Sequence, residues 1–251
     1  MTFTTLITGA SSGLGAELAR QSAAAGHDLA LCARRTERLD ALAAEIAASC
    51  PAVTVRTYAL DVTDPDAVRE VFQRADAEAP LDRVVVNAGL GKGRKVGSGK
   101  PEANRETATT NVLGALAQAE AGMEIFRARG AGHLVLVSSV TALRGNRKAM
   151  TTYGATKAFV ASLGEGLQSE LMVSGAGGID VTVLLPGYIR SEMNEKVEQK
   201  TRFMVDTETG VRSMMAAIEA RKRRALVPGW PWRLIGPLLK VLPLKVVSKL
   251  V

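Results

Sequence analysis

The sequence predicts a doubly wound α/β fold, in which helices cover both faces of a parallel sheet. Short β-branched or aliphatic segments alternate with longer segments of helical periodicity along the 251 residues. The strand-like segments are continuously apolar rather than alternating, which is typical of parallel strands buried on both faces. No repeat, low-complexity tract or Pro/Ser-rich linker divides the sequence, so we expect one domain.

Seven segments have the composition of strands, with the last of them the weakest. They are Phe3–Thr8, Leu29–Ala33, Val53–Tyr58, Arg83–Val86, His133–Ser138, Val181–Leu185 and Arg224–Val227. Six helical segments lie between them: Gly13–Ala25, Thr36–Ala48, Pro65–Ala77, Glu102–Ala128, Tyr153–Val173 and Glu208–Ala220. Local signals agree, because Asp64 and Pro65 read as an N-cap followed by an N1 proline, and Gly26 and Gly130 stand where helices stop.

Composition excludes several classes of protein. The 47% apolar and 23% charged residues are typical of a globular protein and not of a disordered or collagen-like one. Cys32 and Cys50 form neither a CxxC motif nor a Cys/His ligand spacing, so we expect no metal site and no disulfide framework, in a reducing, cytoplasmic setting. We also expect no signal peptide and no membrane-spanning helix, which needs roughly 18 to 20 apolar residues.

The formal net charge of +7 is concentrated near the C-terminus. Residues Arg221–Val251 include eight basic and no acidic residues, so the rest of the chain carries a formal charge of −1. Because the rest of the chain is nearly neutral, we do not expect a nucleic-acid-binding protein. The tail, residues 229–251, combines Trp230 and Trp232 with three prolines and follows the main domain of residues 1–228. We expect it to pack on a neighbouring subunit or over an apolar substrate, with peripheral membrane contact or disorder as alternatives.

A glycine-rich turn follows the first predicted strand and opens the first predicted helix. It reads Thr8-Gly9-Ala10-Ser11-Ser12-Gly13-Leu14-Gly15, with the spacing GxxxGxG. Glycines here let the backbone approach a pyrophosphate, whose charge is stabilised by the free N–H groups and the dipole of the helix start. The turn predicts a Rossmann-type dinucleotide site, with an ordinary strand-to-helix turn as the alternative. Its candidate cofactor contacts are Gly9, Ser11, Ser12, Gly13, Leu14 and Gly15.

The end of the second predicted strand indicates which dinucleotide is bound. An NAD site usually places a carboxylate there to hold the ribose 2′-OH, but this strand ends Ala33-Arg34-Arg35. An arginine can bind a 2′-phosphate bidentately, so we expect NADP(H), with Arg34 as the first candidate and Arg35, Ser11 or Ser12 as helpers. Two solvated arginines are the alternative. Further along the sequence, Asp61-Val62 is a candidate for the adenine contact and Asn87-Ala88-Gly89 for a position beneath the cofactor.

Tyr153 and Lys157 stand four residues apart, on one face of a predicted helix. Free tyrosine titrates near pH ~10, but an adjacent ammonium stabilises the phenolate and lowers its pKa. Tyr153 can then exchange a proton with a carbinol or carbonyl oxygen. Ser139 can donate a hydrogen bond to the same oxygen, and Asn111, unfavourable inside a helix, can support a water or a backbone carbonyl in a proton relay. A surface pair on a helix is the alternative for Tyr153 and Lys157.

Jointly these motifs resemble the single-domain form of the short-chain dehydrogenase/reductase family. The resemblance covers about Phe3 to Met193, and its motifs fall in family order: the TGxxxGxG turn, Asn87-Ala88-Gly89, Asn111, Ser139, Tyr153 with Lys157, and Pro186-Gly187. It implies a seven-stranded sheet of order 3-2-1-4-5-6-7, with Tyr153 as the acid/base and Lys157 as the residue that lowers its pKa and contacts the nicotinamide ribose. Ser139 would orient the reacting oxygen and Asn111 complete the relay. Pro186, Gly187 and Ile189 would add cofactor contacts.

The sequence departs from the family pattern at two places. Ser139 stands fourteen residues before Tyr153 where members commonly show thirteen, so we expect one extra residue in the loop Thr141–Thr152, with Ser138 as the alternative to Ser139. After Pro186-Gly187, Ser191 stands in place of the usual threonine. It keeps a hydroxyl for the contact with the carboxamide.

We therefore expect an NADP(H)-dependent oxidoreductase that interconverts a carbonyl and a secondary alcohol. An NAD-dependent alcohol or hydroxysteroid dehydrogenase is the enzyme alternative, and a catalytically silent dinucleotide-sensing or scaffold protein is the alternative from another class. The segments expected to select an apolar or mixed substrate are Gly89–Lys100, Leu143–Thr152 and the loop of residues 187–206. The family resemblance also implies a homodimer or homotetramer.

Overall fold

The computed structural model of the protein describes residues 3–175, 177–192 and 203–250. Its strands are β1 (Thr4–Thr8), β2 (Asp28–Ala33), β3 (Val55–Ala59), β4 (Arg83–Val86), β5 (Gly132–Val137), β6 (Ile179–Pro186) and β7 (Arg224–Val227). Its helices are α1 (Gly13–Ala24), α2 (Thr36–Ser49), α3 (Pro65–Glu78), α4 (Glu102–Ala108), α5 (Ala115–Arg129), α6 (Met150–Ser174), α7 (Thr207–Glu219), α8 (Gly229–Val241) and α9 (Leu244–Leu250). A π-helical segment, Thr109–Gly114, joins α4 to α5, and a short 3-10 helix spans Val140–Leu143.

The strands form one parallel sheet in the order β3-β2-β1-β4-β5-β6-β7. This confirms the doubly wound fold and the strand order that the family resemblance implied. The sequence predicts one helix over Glu102–Ala128, but the structure divides it into α4 and α5 at the π-helical segment. Within that segment Gly114 lies so close to Val62 that a Cβ would be 2.8 Å from the Val62 carbonyl oxygen.

Two apolar clusters, one on each face of the sheet, explain why the strands lack alternation. Leu6 and Leu134 belong to the cluster that packs against α3, α5 and α6, whereas their neighbours Ile7 and Val135 belong to the cluster that packs against α1, α2 and α7. Successive side chains of a strand point to opposite faces, so a sheet covered on both faces needs an apolar residue at every position.

The position of the site follows from the order of the strands. The chain runs outward from β1 to β3 on one side and from β4 to β7 on the other, which makes the β1/β4 pair the point where the order reverses. In such sheets ligands bind in the crevice beyond the carboxyl ends of the strands at this point. The glycine-rich turn follows β1 and Asn87-Ala88-Gly89 follows β4, so both lie at the crevice.

The predicted tail forms α8 and α9, and α8 packs on the same domain. Trp232 is buried and contacts a third apolar cluster that includes Leu143, Ala161 and Leu185. Its ring also meets Tyr188 edge-to-face with centroids 5.5 Å apart. Within the described part of the chain, no helix has both the length and the apolar character to cross a bilayer. The tail therefore covers the sheet edge next to the end of β6.

A buried polar cluster lies at the opposite ends of the strands, where β4 and β5 begin. Arg83 is 2% exposed and pairs with Glu219 at 2.7 Å. Its Nε donates to Nδ1 of His133 at 3.1 Å, and Nε2 of His133 lies 2.9 Å from the Thr182 hydroxyl. Burial, reinforced by the charge of Arg83, lowers the pKa of His133 to about 3. His133 is therefore held neutral as a partner of Arg83.

We expect His133 to make folding stability depend on pH. Its pKa is near 6.5 in the unfolded chain and lower in the folded one, so as pH falls below about 6.5 the unfolded chain takes up a proton first and is favoured. The loss of unfolding free energy between pH 7.5 and pH 5 should be about 2 kcal/mol, measured by urea denaturation. His133→Asn should remove most of this loss. His27→Gln is the matched control, and if it removed the larger share, His133 would not be the responsible group.

Candidate active site

The glycine-rich turn is packed so closely that side chains are excluded from it. Gly9 has φ +64°, and a Cβ there would lie 2.9 Å from the Ala88 Cα. A Cβ on Gly15 would lie 2.3 Å from the Gly9 carbonyl oxygen. Because α1 begins at Gly13, its first N–H groups point out of this turn toward the crevice. The turn thus has the shape and the donors that a pyrophosphate requires.

Asn87, Ala88 and Thr8 hold the turn against the end of β4. The Thr8 hydroxyl accepts hydrogen bonds from the backbone N–H groups of Asn87 and Ala88, both at 3.1 Å. The Asn87 side-chain amide donates to the Thr8 carbonyl at 2.9 Å. Asn87 and Ala88 were predicted to lie beneath the cofactor, and the structure places them against the glycine-rich turn at the end of β4.

Arg35, rather than Arg34, contacts the glycine-rich turn. Arg35 Nε donates to the Ser11 hydroxyl at 3.2 Å and Nη2 donates to the Ser12 hydroxyl at 2.7 Å. Arg34 is exposed, and its Nη1 lies 3.7 Å from a carboxylate oxygen of Asp61. The backbone after β2 thus directs Arg35 toward the turn and Arg34 toward the loop after β3, whereas the sequence analysis named Arg34 as the first candidate.

The predicted adenine contacts, Asp61 and Val62, differ in exposure. The Asp61 side chain is 45% exposed and accepts hydrogen bonds from the backbone and hydroxyl of Thr63. Burial raises its pKa, but the hydrogen bonds from Thr63 and the charge of Arg34 outweigh that effect, so the pKa of Asp61 is lowered. Val62 is buried in the core. Asp61 is thus available at the crevice, while the Val62 side chain is not.

Lys157 and Tyr153 lie one turn apart on α6, as their spacing predicted. Lys157 is 6% exposed, its Nζ donates to the Val137 carbonyl at 2.9 Å, and it lies 5.9 Å from the centre of the Tyr153 ring. Ser139 hydrogen-bonds to Tyr153 and accepts from the Thr141 N–H at 3.2 Å. The alternative, Ser138, donates to the Lys157 carbonyl at 2.7 Å and fixes α6 to β5. The geometry favours Ser139 as the serine of the site.

Asn111 lies in the π-helical segment and bridges to the loop after β4. Its Oδ1 accepts from the Leu90 N–H at 2.8 Å, and its Nδ2 donates to the Leu90 carbonyl at 2.9 Å and to the Thr156 hydroxyl at 3.1 Å. A Cβ on Gly89 would lie 3.2 Å from Asn111 Oδ1 and 3.3 Å from Lys157 Nζ. Asn111 thus supports a backbone carbonyl beside Lys157. π-Helical turns often occur at functional sites.

Burial sets the protonation of the Tyr153 and Lys157 pair. Desolvation raises the pKa of Tyr153 to about 12, opposed by the hydrogen bond with Ser139. Desolvation also lowers the pKa of Lys157 to about 8. For Tyr153 this effect of burial is opposite in direction to the effect that the sequence analysis expected from Lys157. A raised pKa keeps the Tyr153 phenol protonated.

The segment after β6 closes over the glycine-rich turn. The Gly187 N–H donates to the Val227 carbonyl at 2.8 Å, and a Cβ on Gly187 would collide with the Trp232 ring. The Ile189 side chain is buried in the core, so any cofactor contact there would come from its backbone. Ser191 Cβ lies 3.3 Å from the position that a Cβ on Gly13 would take. Of the loop predicted over residues 187–206, residues 193–202 lie outside the described part of the chain.

Two residues of the site were missed by the sequence analysis. Trp232 was assigned to the tail, and in the structure it packs on Gly187 after β6. Glu192 binds Arg35 and Arg38 beside Ser12. The sequence offered no signal for either residue, since these contacts join segments more than 40 residues apart.

The sheet and its crevice define a Rossmann-type dinucleotide-binding oxidoreductase. A family model described as short chain dehydrogenase matches residues 4–202, and the chain belongs to the short-chain dehydrogenase/reductase family. It is 50% identical over 239 residues to an uncharacterized oxidoreductase of Mycobacterium tuberculosis, covering 95% of this chain and 93% of the relative. The resemblance inferred from the motifs is thereby confirmed.

Two solved structures are similar over nearly the whole chain. A short-chain dehydrogenase from Sphingobium yanoikuyae in complex with NADPH has a TM-score of 0.81 and 30% identity, covering 96% of this chain and 97% of that one. A bulky-bulky ketone specific alcohol dehydrogenase from Comamonas testosteroni has a TM-score of 0.78 and 29% identity, covering 94% of this chain and 90% of that one. As a family member, this protein is an oxidoreductase that uses a nicotinamide dinucleotide.

We expect Tyr153→Phe to lower kcat by at least about 10²-fold, the usual contribution of a positioned acid/base. Dinucleotide affinity should change little, because the ring remains. Lys157→Met should lower both kcat and dinucleotide affinity. Steady-state kinetics together with a fluorescence titration of the nucleotide would separate these effects.

Tyr58→Phe is the matched control for the tyrosine substitution. It also removes one hydroxyl, which donates to Glu78 at the far edge of the sheet, and its kcat should remain within about twofold of the wild-type value. Full activity in Tyr153→Phe would remove Tyr153 from the mechanism.

Proposed function

We propose that this protein is an NADP(H)-dependent oxidoreductase that interconverts a carbonyl and a secondary alcohol. The observation that carries the cofactor assignment is the end of β2, where Ala33 stands in place of a carboxylate and Arg35 reaches the Ser11 and Ser12 hydroxyls. Arg38 lies on the same side, since it shares the Glu192 carboxylate with Arg35. Guanidinium groups and hydroxyls are the donors that hold a ribose 2′-phosphate.

The protonation of the proposed catalytic residues favours reduction of a carbonyl over oxidation of an alcohol. The nicotinamide, when bound, supplies the hydride. Tyr153, protonated across the physiological range, donates a proton to the substrate oxygen, and Ser139 orients that oxygen by a hydrogen bond. Lys157, within reach of Gly89 and the Val137 carbonyl, places a positive charge beneath the site. Asn111 fixes the Leu90 backbone beside it and completes the path for proton replacement.

Two alternative functions predict different results in binding and turnover assays. An NAD-dependent alcohol or hydroxysteroid dehydrogenase would bind NADH at least as well as NADPH. A dinucleotide-sensing or scaffold protein would bind NADPH tightly, yet show no turnover with ketones, aldehydes, 3-oxoacyl thioesters and steroids. Screening NADPH oxidation against those four classes would also indicate whether the substrate is apolar or mixed. The packed set of Ser139, Tyr153 and Lys157 favours catalysis.

NADPH should bind more tightly than NADH by about ten- to a hundredfold, or about 1.5 to 3 kcal/mol, the contribution of a charge-assisted contact. Arg35→Ala should weaken NADPH binding by about tenfold or more and leave NADH within about twofold, because the lost contact is to the phosphate alone. Arg34→Ala is the matched control and should have the smaller effect. Equal wild-type affinities for the two nucleotides would contradict the assignment.

We also propose that the outer face of α8 is an interface in a homodimer or homotetramer. Leu234, Leu238 and Val241 are 66%, 52% and 78% exposed on this face, while Trp232 and Leu239 anchor the other face to the domain. Exposed apolar patches often mark interaction sites. Contact with an anionic membrane is the alternative, because Arg233, Lys240 and Lys245 adjoin the patch.

Leu234→Ser combined with Leu238→Ser should reduce the mass in solution from a multiple of 26.5 kDa toward that of one chain. Light scattering after size exclusion measures this mass. Val173→Ser, which changes an exposed apolar residue at the end of α6, should leave it unaltered. An unaltered mass in the double variant, together with salt-sensitive sedimentation of the wild type on anionic vesicles, would favour membrane contact instead.

A further inference from the structure

Glu192 binds the arginines that stand at the end of β2. Its two carboxylate oxygens accept from Arg35 in a fork, Nη1 to Oε1 at 3.2 Å and Nη2 to Oε2 at 3.1 Å. Arg38 Nη1 donates to Oε1 at 3.0 Å. The same Arg35 Nη2 donates to the Ser12 hydroxyl at 2.7 Å. One carboxylate thus gathers two guanidinium groups beside the glycine-rich turn.

These donors are the ones that the proposed function assigns to a 2′-phosphate. Carboxylate and phosphate monoester are both anions that a guanidinium binds through two parallel hydrogen bonds. Glu192 occupies the Nη1/Nη2 edge of Arg35, and the Nε/Nη2 edge donates to the Ser11 and Ser12 hydroxyls, so a phosphate must displace one of these partners. Two anions held within a few ångströms also repel each other. Glu192 in its observed position therefore competes with a 2′-phosphate for Arg35.

The ion pairs between Glu192 and the two arginines are weak enough for another anion to replace Glu192. The side chains of Arg35, Arg38 and Glu192 are 43%, 52% and 46% exposed, and exposed ion pairs are individually weak. Hydrogen bonds from Arg35, Ser12 and Arg38 hold the pKa of Glu192 at about 2. Glu192 therefore remains an anion throughout the physiological range and competes there at full charge.

We propose that Glu192 is a specificity-determining residue, an internal counter-anion that competes with the 2′-phosphate of the cofactor for Arg35 and Arg38. This inference depends on the proposed function, in which the cofactor is NADP(H). Glu192 lowers the affinity for phosphorylated nucleotides below the value that the arginines alone would give. It leaves NADH affinity unaffected, because NADH has a hydroxyl at the 2′ position.

The test compares Glu192→Gln with wild type by calorimetric titration of adenosine 2′,5′-bisphosphate and of 5′-AMP, and by fluorescence titration of NADPH and NADH. Removing the competing charge should tighten binding of the bisphosphate and of NADPH by about three- to tenfold, the scale of exposed ion pairs involving two arginines. Affinities for 5′-AMP and NADH should remain within about twofold. Glu192→Asp keeps the charge on a shorter side chain. Its affinities for the bisphosphate and NADPH should lie between those of wild type and Glu192→Gln.

Glu37→Gln is the matched control for the general loss of a negative charge. Glu37 is exposed in the first turn of α2, near the same arginines. Its substitution should change bisphosphate affinity by less than about twofold, because long-range effects between exposed charges are screened. An equal gain in Glu37→Gln and Glu192→Gln would show that the effect is general electrostatics and would overturn the inference.

The remaining outcomes separate this inference from the proposed function. If wild type prefers NADPH but Glu192→Gln leaves bisphosphate affinity unchanged or weaker, the role of Glu192 is wrong and the cofactor assignment stands. If wild type binds 5′-AMP as tightly as the bisphosphate and NADH as tightly as NADPH, the cofactor assignment fails and the inference fails with it. Thermal unfolding of each variant verifies that the fold is retained.

Discussion

The close approach of β1 and β4 at their carboxyl ends is the constraint on which the site depends. The Thr8 hydroxyl accepts from two successive backbone N–H groups of the neighbouring strand end, and Gly9 lies where a Cβ would be 2.9 Å from the Ala88 backbone. This contact places the glycine-rich turn beside Gly89, and Gly89 in turn lies against Lys157 and Asn111. A side chain at Gly9 would separate the nucleotide end of the crevice from its catalytic end.

The sequence was sufficient to predict what local periodicity and short motifs encode. Continuous apolar strands implied a sheet covered on both faces, and the spacing of Tyr153 and Lys157 placed both on one helical face. The sequence was insufficient to predict contacts that join distant segments of the chain. Arg35 meets Glu192 across 157 positions, and Trp232 in the tail packs on Gly187, a partner that the sequence did not identify. The sequence also did not indicate that Arg35, rather than Arg34, contacts Ser11 and Ser12, since the direction of the backbone after a strand is set by packing.

Burial favours the uncharged form of titratable groups at both ends of the strands. At the carboxyl ends, desolvation raises the pKa of Tyr153 and lowers that of Lys157, so both shifts favour the uncharged forms. The sequence predicted a lowered pKa for Tyr153, because proximity in sequence shows the neighbouring charge but not the desolvation. At the amino ends, the same effect keeps His133 neutral as an acceptor for Arg83. There the neutral His133 has a structural role, as an acceptor for the buried Arg83.

The segment that follows β6 connects these parts of the molecule. Gly187 donates its N–H to the Val227 carbonyl and packs against the Trp232 ring. Five residues later Glu192 reaches the arginines after β2. Because so few residues separate the two contacts, the position of Glu192 and the position of Gly187 are not independent. Glu192 and Gly187 therefore belong to one short segment, which joins the arginines after β2 to the ends of β6 and β7.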